Sequence, residues 1–242
     1  MLKKKIVIGT ANFNQNYGLL SQNVKEYEIK KILKLCSSKK IQYFDTSNSY
    51  KTAQNYLSKF TNKNSKIITK LPPIKLSKSK KEIKKWINGQ LSKTFAKLKT
   101  KTIYALLLHR PEILLSKKGQ FVFDVLNSFK KKGKIKKIGV SVYDFDLLKK
   151  IIKKYKIDIA QVPFSVFDQR LKYQKNFKNY YGKIEIHCRS IFLQGLIFKT
   201  INNLPVRLKN YKKTWVEWKK FLIKNKISPM NAALEFFIEN QK

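Results

Sequence analysis

Four residues of this chain have side chains and positions suited to proton chemistry: Asp45, Tyr50, Lys70 and His109. Asp45 ends the apolar run of "IQYFD", where a core strand should still be dry, and Tyr50 follows five residues later. A phenol with a pKa near 10 is a weak acid at neutral pH. A neighbouring ammonium favours the phenolate, so Lys70 is expected to lower the Tyr50 pKa. A carboxylate makes burial of that ammonium tolerable, which gives Asp45 its reason. An imidazole at His109 can hold a carbonyl oxygen. The set reads as a metal-free device for giving a proton to a carbonyl. Singly, each residue has an ordinary explanation. Asp45 can cap a turn with Thr46 and Ser47, Tyr50 can be a core aromatic, Lys70 can be solvated and His109 can be a satisfied core group.

For the four to act together, the chain must bring them to one place. Short apolar runs alternate with longer amphipathic ones. The strands read as "KKIVIGT", "IQYFDT", "SKIITKL", "TIYALLLHR", "KIKKIGVSV", "IDIAQVPF" and "KIEIHCRSI". Helical sequence follows each; "EYEIKKILKLCSS" carries Ile29, Ile32, Leu33 and Cys36 at spacings of three and four. Gly133 suits a helix C-terminus, Asp144 an N-cap, and Ser228 with Pro229 a helix start. Seven strands in βα alternation imply a parallel sheet covered by helices, either an open doubly wound sheet or a closed (β/α)8 barrel. Asp45, Lys70 and His109 then sit at the C-terminal ends of three successive strands. Neighbouring strands lie about 4.8 Å apart, which puts the three within about 10 Å.

Composition narrows the class. The 242 residues, 43% apolar, suffice for one large α/β domain over residues 1–242. No apolar stretch is long enough to span a membrane, and the short apolar run after the N-terminal lysines is not a secretion signal. Cys36 and Cys188 fit no metal pattern and read as reduced thiols in a cytoplasmic protein. No metal site is expected. The net charge is +40, yet the arginines are only Arg110, Arg170, Arg189 and Arg207. Readers of bases and phosphates favour the planar arginine fork. The lysines are spread over the whole chain, so no specific nucleic-acid partner is expected. No G-x-G-x-x-G or Walker sequence occurs.

At these residues the sequence resembles the aldo/keto reductases, (β/α)8 barrels that reduce carbonyls with NADPH. "GTANF" looks like the family's first-strand signature, "FDTSNSY" its D-T-A-x-x-Y, "ITKL" its T-K segment and "LLLHRP" its fourth-strand histidine. "GKIKKIGVSVY", "AQVPFSVFDQRL" and "RSIFLQGLI" are similar to later family segments, in order and spacing. The resemblance implies Asp45, Tyr50, Lys70 and His109 as the catalytic tetrad, with Tyr50 the general acid. It implies that Ser141 and Gln161 hold a nicotinamide carboxamide. Gly9 and Thr10 approach the cofactor, and Ser190, Phe192 and Gly195 wrap its pyrophosphate side. The implied cofactor is NADP(H), and the implied substrate a small aldehyde or ketone. The "RSIFLQG" form is similar to bacterial members associated with cell-surface sugar biosynthesis.

Departures accompany the match. Lys51 replaces the usual glycine after the tyrosine, Gln54 a glutamate, Val142 an asparagine, and Arg189 an aromatic that stacks on the nicotinamide. The family also continues past "ALEFFIEN" into an eighth strand and a helix. The chain is therefore expected to be a barrel lacking its last strand–helix unit. The alternative reading is a noncatalytic or truncated barrel whose basic surface binds polyanions.

Overall fold

A computed structural model of the chain describes residues 6–18, 23–50, 52–174 and 183–239. The start of the expected first strand, Lys51 and the last three residues of the expected final helix lie outside that set. The strands are β1 (Val7–Gly9), β2 (Tyr43–Asp45), β3 (Lys66–Leu71), β4 (Ile103–Leu108), β5 (Ile135–Ser141), β6 (Ile159–Pro163) and β7 (Glu185–Arg189). The helices are α1 (Glu26–Ser38), α2 (Ala53–Phe60), α3 (Lys80–Leu98), α4 (Gly119–Lys131), α5 (Phe145–Lys154), α6 (Lys212–Lys224) and α7 (Pro229–Glu239). Among the described residues all seven strands pair in parallel, in the order β1 to β7. This is the (β/α)8 barrel plan with seven of its units, and it settles the choice against an open doubly wound sheet.

Local chemistry sets the helix ends. Ser79 accepts from the Glu82 amide, and Glu82 accepts from the Ser79 amide at 2.7 Å, starting α3 with a reciprocal pair. Asp144 accepts from the Asp146 amide at 2.8 Å at the start of α5, as its sequence position predicts. Gly133 follows α4 with φ of 67°, a left-handed turn that a side chain would resist. The segment after β7, expected as a loop, holds short 3₁₀ turns at Leu193–Phe198, Ile201–Asn203 and Val206–Tyr211.

Two apolar layers fix the sheet. The larger joins strands to helices through residues such as Leu57, Leu91, Leu106, Val122, Val140 and Leu148, all almost fully buried. The smaller contains strand residues alone: Tyr43, Ile68, Ala105, Leu107 and Ile159. It fills the inside of a curl. Gln161 on β6 bonds to Asp45 on β2 at 2.7 Å. Four strand spacings would separate these strands by roughly 19 Å in a flat sheet, so the bond requires curvature.

Candidate active site at the C-terminal mouth

The barrel mouth is built from the last residues of the strands. Asp45 ends β2 and pairs in register with Gly9 of β1 and Ile68 of β3. Lys70 lies two residues further along β3, so its side chain projects on the same face as Ile68. Its Nζ reaches both carboxylate oxygens of Asp45, at 2.6 Å and 2.5 Å, and the Thr46 carbonyl at 3.2 Å. Lys70 is only 3% exposed and Asp45 16%. An ammonium so buried needs this multiple ligation, since removing it from water costs several kcal/mol. Gln161 donates to the same Asp45 carboxylate. The Thr10 amide and hydroxyl both donate to the Asp45 carbonyl, at 3.0 Å and 2.9 Å. Asp45 is thus held from β1, β3 and β6 at once.

Tyr50 stands in the loop after β2. Its amide bonds to the Ser47 carbonyl at 3.0 Å. The loop is pinned from outside the barrel. Asn48 accepts from Gln54 at 2.9 Å and from Thr94 on α3 at 2.7 Å, and donates to the Gln90 carbonyl. Gln54, the departure from glutamate, is buried and is the donor that ties α2 to this loop. The Tyr50 ring lies 5.7 Å from Lys70 Nζ at its centroid and meets Tyr17 edge to face at 6.2 Å. Among the described residues no hydrogen bond joins the Tyr50 hydroxyl to Lys70 or His109. His109 follows β4, its amide held by the Leu71 carbonyl at 3.2 Å, and its ring is half-buried.

The electrostatics correct one sequence expectation. The Tyr50 pKa is raised on balance, not lowered. Burial pushes the phenol well above its ordinary 10, and the Asp45 carboxylate and the neighbouring Tyr17 add to the rise. Arg189 opposes them. The reason is geometric: Lys70 is neutralised by Asp45 through two short contacts and faces the ring of Tyr50. His109 moves the other way. Burial lowers its pKa below 6.5, and the charges of Lys70, Arg110 and Arg189 lower it further. At neutral pH the mouth therefore presents a protonated phenol beside a neutral imidazole.

The other residues singled out from the sequence surround this centre. Ser141 ends β5 opposite Gln161, and both are buried. Gln161 spends its amide nitrogen on Asp45. Among the described residues its carbonyl oxygen and the Ser141 hydroxyl have no hydrogen-bond partner, so an amide could meet both. Gly9 has open space where a side chain would begin. Beyond β7 the chain turns through left-handed conformations at Ser190, Leu193, Gln194 and Gly195, with φ of 63°, 48°, 56° and 90°. Phe192 lies within that turn, half-buried against Phe198. These residues fit the group that the resemblance implies, a nicotinamide cofactor.

Sequence reasoning missed Tyr17, Tyr143 and the second role of Gln161 as a clamp on Asp45. No spacing signal marks the two tyrosines, which lie in loops. Two cavities, of about 440 Å³ beside Trp218 and Ile223 and about 380 Å³ beside Lys66 and Tyr104, contain none of the four mouth residues. Among the described residues no group of three or more His, Cys, Asp or Glu could hold a metal, and no helix is long and apolar enough to cross a membrane.

Comparison with known proteins agrees with this geometry. The chain shares its fold with a glycerol dehydrogenase from Gluconobacter oxydans, at 14% identity and a TM-score of 0.68, covering 96% of this chain and 78% of the other. It also matches an aldo-keto reductase from Bacillus halodurans in its holo form, at 19% identity and a TM-score of 0.63, covering 84% and 70%. Comparison with curated proteins found no match. The model of the Aldo/keto reductase family matches residues 5–242, nearly the whole sequence. The chain belongs to the aldo/keto reductase family.

Proposed function

We propose that this oxidoreductase reduces a small aldehyde or ketone to the alcohol, with NADPH as hydride donor and Tyr50 as general acid. The observation that supports the reading best is the lysine of β3. Lys70 is buried, doubly bound by Asp45 and set over the face of Tyr50, at the strand ends where barrel enzymes do their chemistry. A bound reduced nicotinamide would supply the hydride to the carbonyl carbon. Ser141 and Gln161 would hold its carboxamide, Gly9 and Thr10 would line its approach, and Ser190, Phe192 and Gly195 would border its phosphates.

The chain's own groups do the rest. The Tyr50 hydroxyl gives its proton to the carbonyl oxygen as negative charge develops there. A phenol whose pKa is pushed up by burial still holds that proton throughout the neutral range. Lys70 stabilises the phenolate left behind, and Asp45 keeps Lys70 in place. His109, neutral at pH 7, can donate from one ring nitrogen to the same oxygen and fix its direction.

The test is NADPH consumption with a panel of small aldehydes, compared with the Tyr50→Phe variant. Wild-type turnover that the variant loses supports the reading; undiminished turnover in the variant sinks the role of Tyr50. The pH profile is a second check. His109 should charge only below its ordinary 6.5 and Tyr50 should ionise only above its ordinary 10. A plateau of kcat/KM between those values is expected, and a titration centred near pH 8 would contradict it. NADH in place of NADPH tests the cofactor preference.

A further inference from the structure

Charge is sorted along the barrel axis. The acids of the first helical turns, Glu26 and Glu28 on α1, Glu82 on α3 and Asp146 on α5, stand at the mouth end. Lysines occupy last turns at the opposite end: Lys59 on α2, Lys97 on α3, Lys130 and Lys131 on α4, Lys153 and Lys154 on α5. The helix dipole favours this order. It also leaves the end where the strands begin strongly positive.

A cavity of about 380 Å³ opens at that end, where β2 to β5 begin. Lys63, Lys66 and Lys136 line it, and among the described residues no carboxylate does. Lys63 and Lys136 are exposed, and Lys66 is half-buried. The half-buried lysines nearby, Lys130 and Lys137, each hold a carboxylate, Asp158 and Glu185. Among the described residues Lys66 holds none. Its Nζ donates to the Tyr43 hydroxyl at 2.9 Å and lies 4.7 Å and 5.9 Å from the ring centroids of Tyr43 and Tyr104. The rings attract the charge, yet only one of three ammonium donors meets a protein oxygen. The carboxylates at this end are committed. Asp158 takes both Lys130 contacts and the Ile138 amide. Glu185 is held by Lys137, Tyr104 and His187. Neutral donors complete the lining. Among the described residues the side-chain amides of Gln42 and Asn64 and the Thr102 hydroxyl make no hydrogen bond. Ser65 accepts from the Asn62 amide at 3.1 Å and keeps its own proton to donate. Three ammonium groups with neutral donors and no carboxylate suit a ligand of more than one negative charge. The compact charge of lysine matches phosphate without needing a planar partner.

We propose that this cavity is a phosphate-binding site at the barrel end opposite the mouth, taking inorganic phosphate or a small phosphate monoester, with Lys66 as its inner cation and Lys63 and Lys136 at its rim. Its volume leaves room for a small organic group on the phosphate. The site binds and performs no chemistry. None of the four mouth residues lines it, so the inference is independent of the reaction proposed above.

The test is calorimetry of the whole chain, without cofactor, against inorganic phosphate and glycerol 3-phosphate at constant ionic strength. One ligand per chain should bind. Lys66→Gln should weaken binding about 10-fold or more, and Lys63→Gln combined with Lys136→Gln by a similar factor. Lys84→Gln combined with Lys85→Gln removes two exposed lysines of α3 and should leave the affinity unchanged. Lys66 touches Tyr43, so unfolding midpoints accompany the variants; the exposed rim pair carries the test if Lys66→Gln does not fold. Several phosphates per chain, or equal weakening in the α3 pair, would mean general attraction to a basic chain and overturn the proposal. Binding that survives both cavity variants would overturn it too. Attachment to phosphatidylglycerol vesicles or to a DNA oligonucleotide, with no binding of free phosphate, would assign this end to a polyanion surface and remove the cavity site.

Discussion

Among the described residues, two lysine–carboxylate pairs lie inside the curl of the barrel, and they behave as opposites. At the mouth, Lys70 binds Asp45. At the N-terminal ends of the strands, Lys137 binds Glu185. Glu185 also takes a hydrogen bond from Tyr104 at 2.6 Å and lies 2.6 Å from His187 Nε2. Nearby, Lys66 donates to the Tyr43 hydroxyl at 2.9 Å, and Tyr43 packs edge to face on Tyr104. Burial pushes the Glu185 carboxyl up, but hydrogen bonds from His187, Lys137 and Tyr104 outweigh it and hold the pKa well below the usual range. Perturbation alone does not choose between the two regions, since burial shifts Tyr50 at the mouth as well. Satisfaction does. The floor groups are bound to one another, with only His187 Nδ1 left buried without a partner. Among the described residues the Tyr50 hydroxyl, the His109 ring and Arg189 Nε at the mouth have no hydrogen-bond partner. Unspent hydrogen-bonding capacity at the strand C-termini, more than a displaced pKa, marks where a small molecule can act.

The largest expected effect separates the two regions by kinetics. Tyr50→Phe should lower kcat by about 10²- to 10⁴-fold while leaving the unfolding midpoint nearly unmoved. Glu185→Gln should do the opposite, with kcat within about twofold of wild type. A floor variant that abolished turnover while folding normally would break the comparison. Asp45→Asn sharpens it, because it strands the Lys70 ammonium in a dry site. A stability loss of about 3 kcal/mol in urea unfolding is expected in addition to lost turnover. If stability were unchanged, Lys70 would not depend on Asp45 for its charge. Glu185→Gln should cost less, about 2 kcal/mol, because Lys137 is 30% exposed and can recover water.

Much of the mouth was legible before any coordinates, because strand ends are read from where apolar runs stop. Asp45, Lys70 and His109 each interrupt or follow such a run, and the parallel barrel does the rest. Helix limits were legible where a cap supplied a signal, as at Asp144 and Gly133. Contacts made across the curl were not. Gln161 bonding to Asp45 spans 116 residues, and no local pattern encodes it. The floor network had a faint trace: Glu185 and His187 alternate along "EIHCR" and share one face of β7. The direction of the Tyr50 shift was misread because the sequence places Lys70 near Tyr50 without showing that Asp45 takes both of its short contacts. Charge balance of that kind depends on distances, which spacing along the chain does not determine.

The smallest effect tests whether the floor is a structural network. Tyr104→Phe removes one hydrogen bond to Glu185 and leaves the carboxylate with Lys137 and His187. A loss of about 1 kcal/mol is expected at pH 7. Its pH dependence follows from the depressed Glu185 pKa. The stability that Glu185 contributes is complete above its unfolded value of 4.5 and is lost as pH falls toward its lower folded value. Tyr104→Phe weakens one cause of that depression, so the gap between variant and wild type should be constant above pH 4.5 and narrow below it. Urea midpoints measured at pH 7 and pH 3 check this directly. A gap that widened in acid would mean that Tyr104 donates to a protonated partner, and the floor would then need a functional reading alongside the mouth.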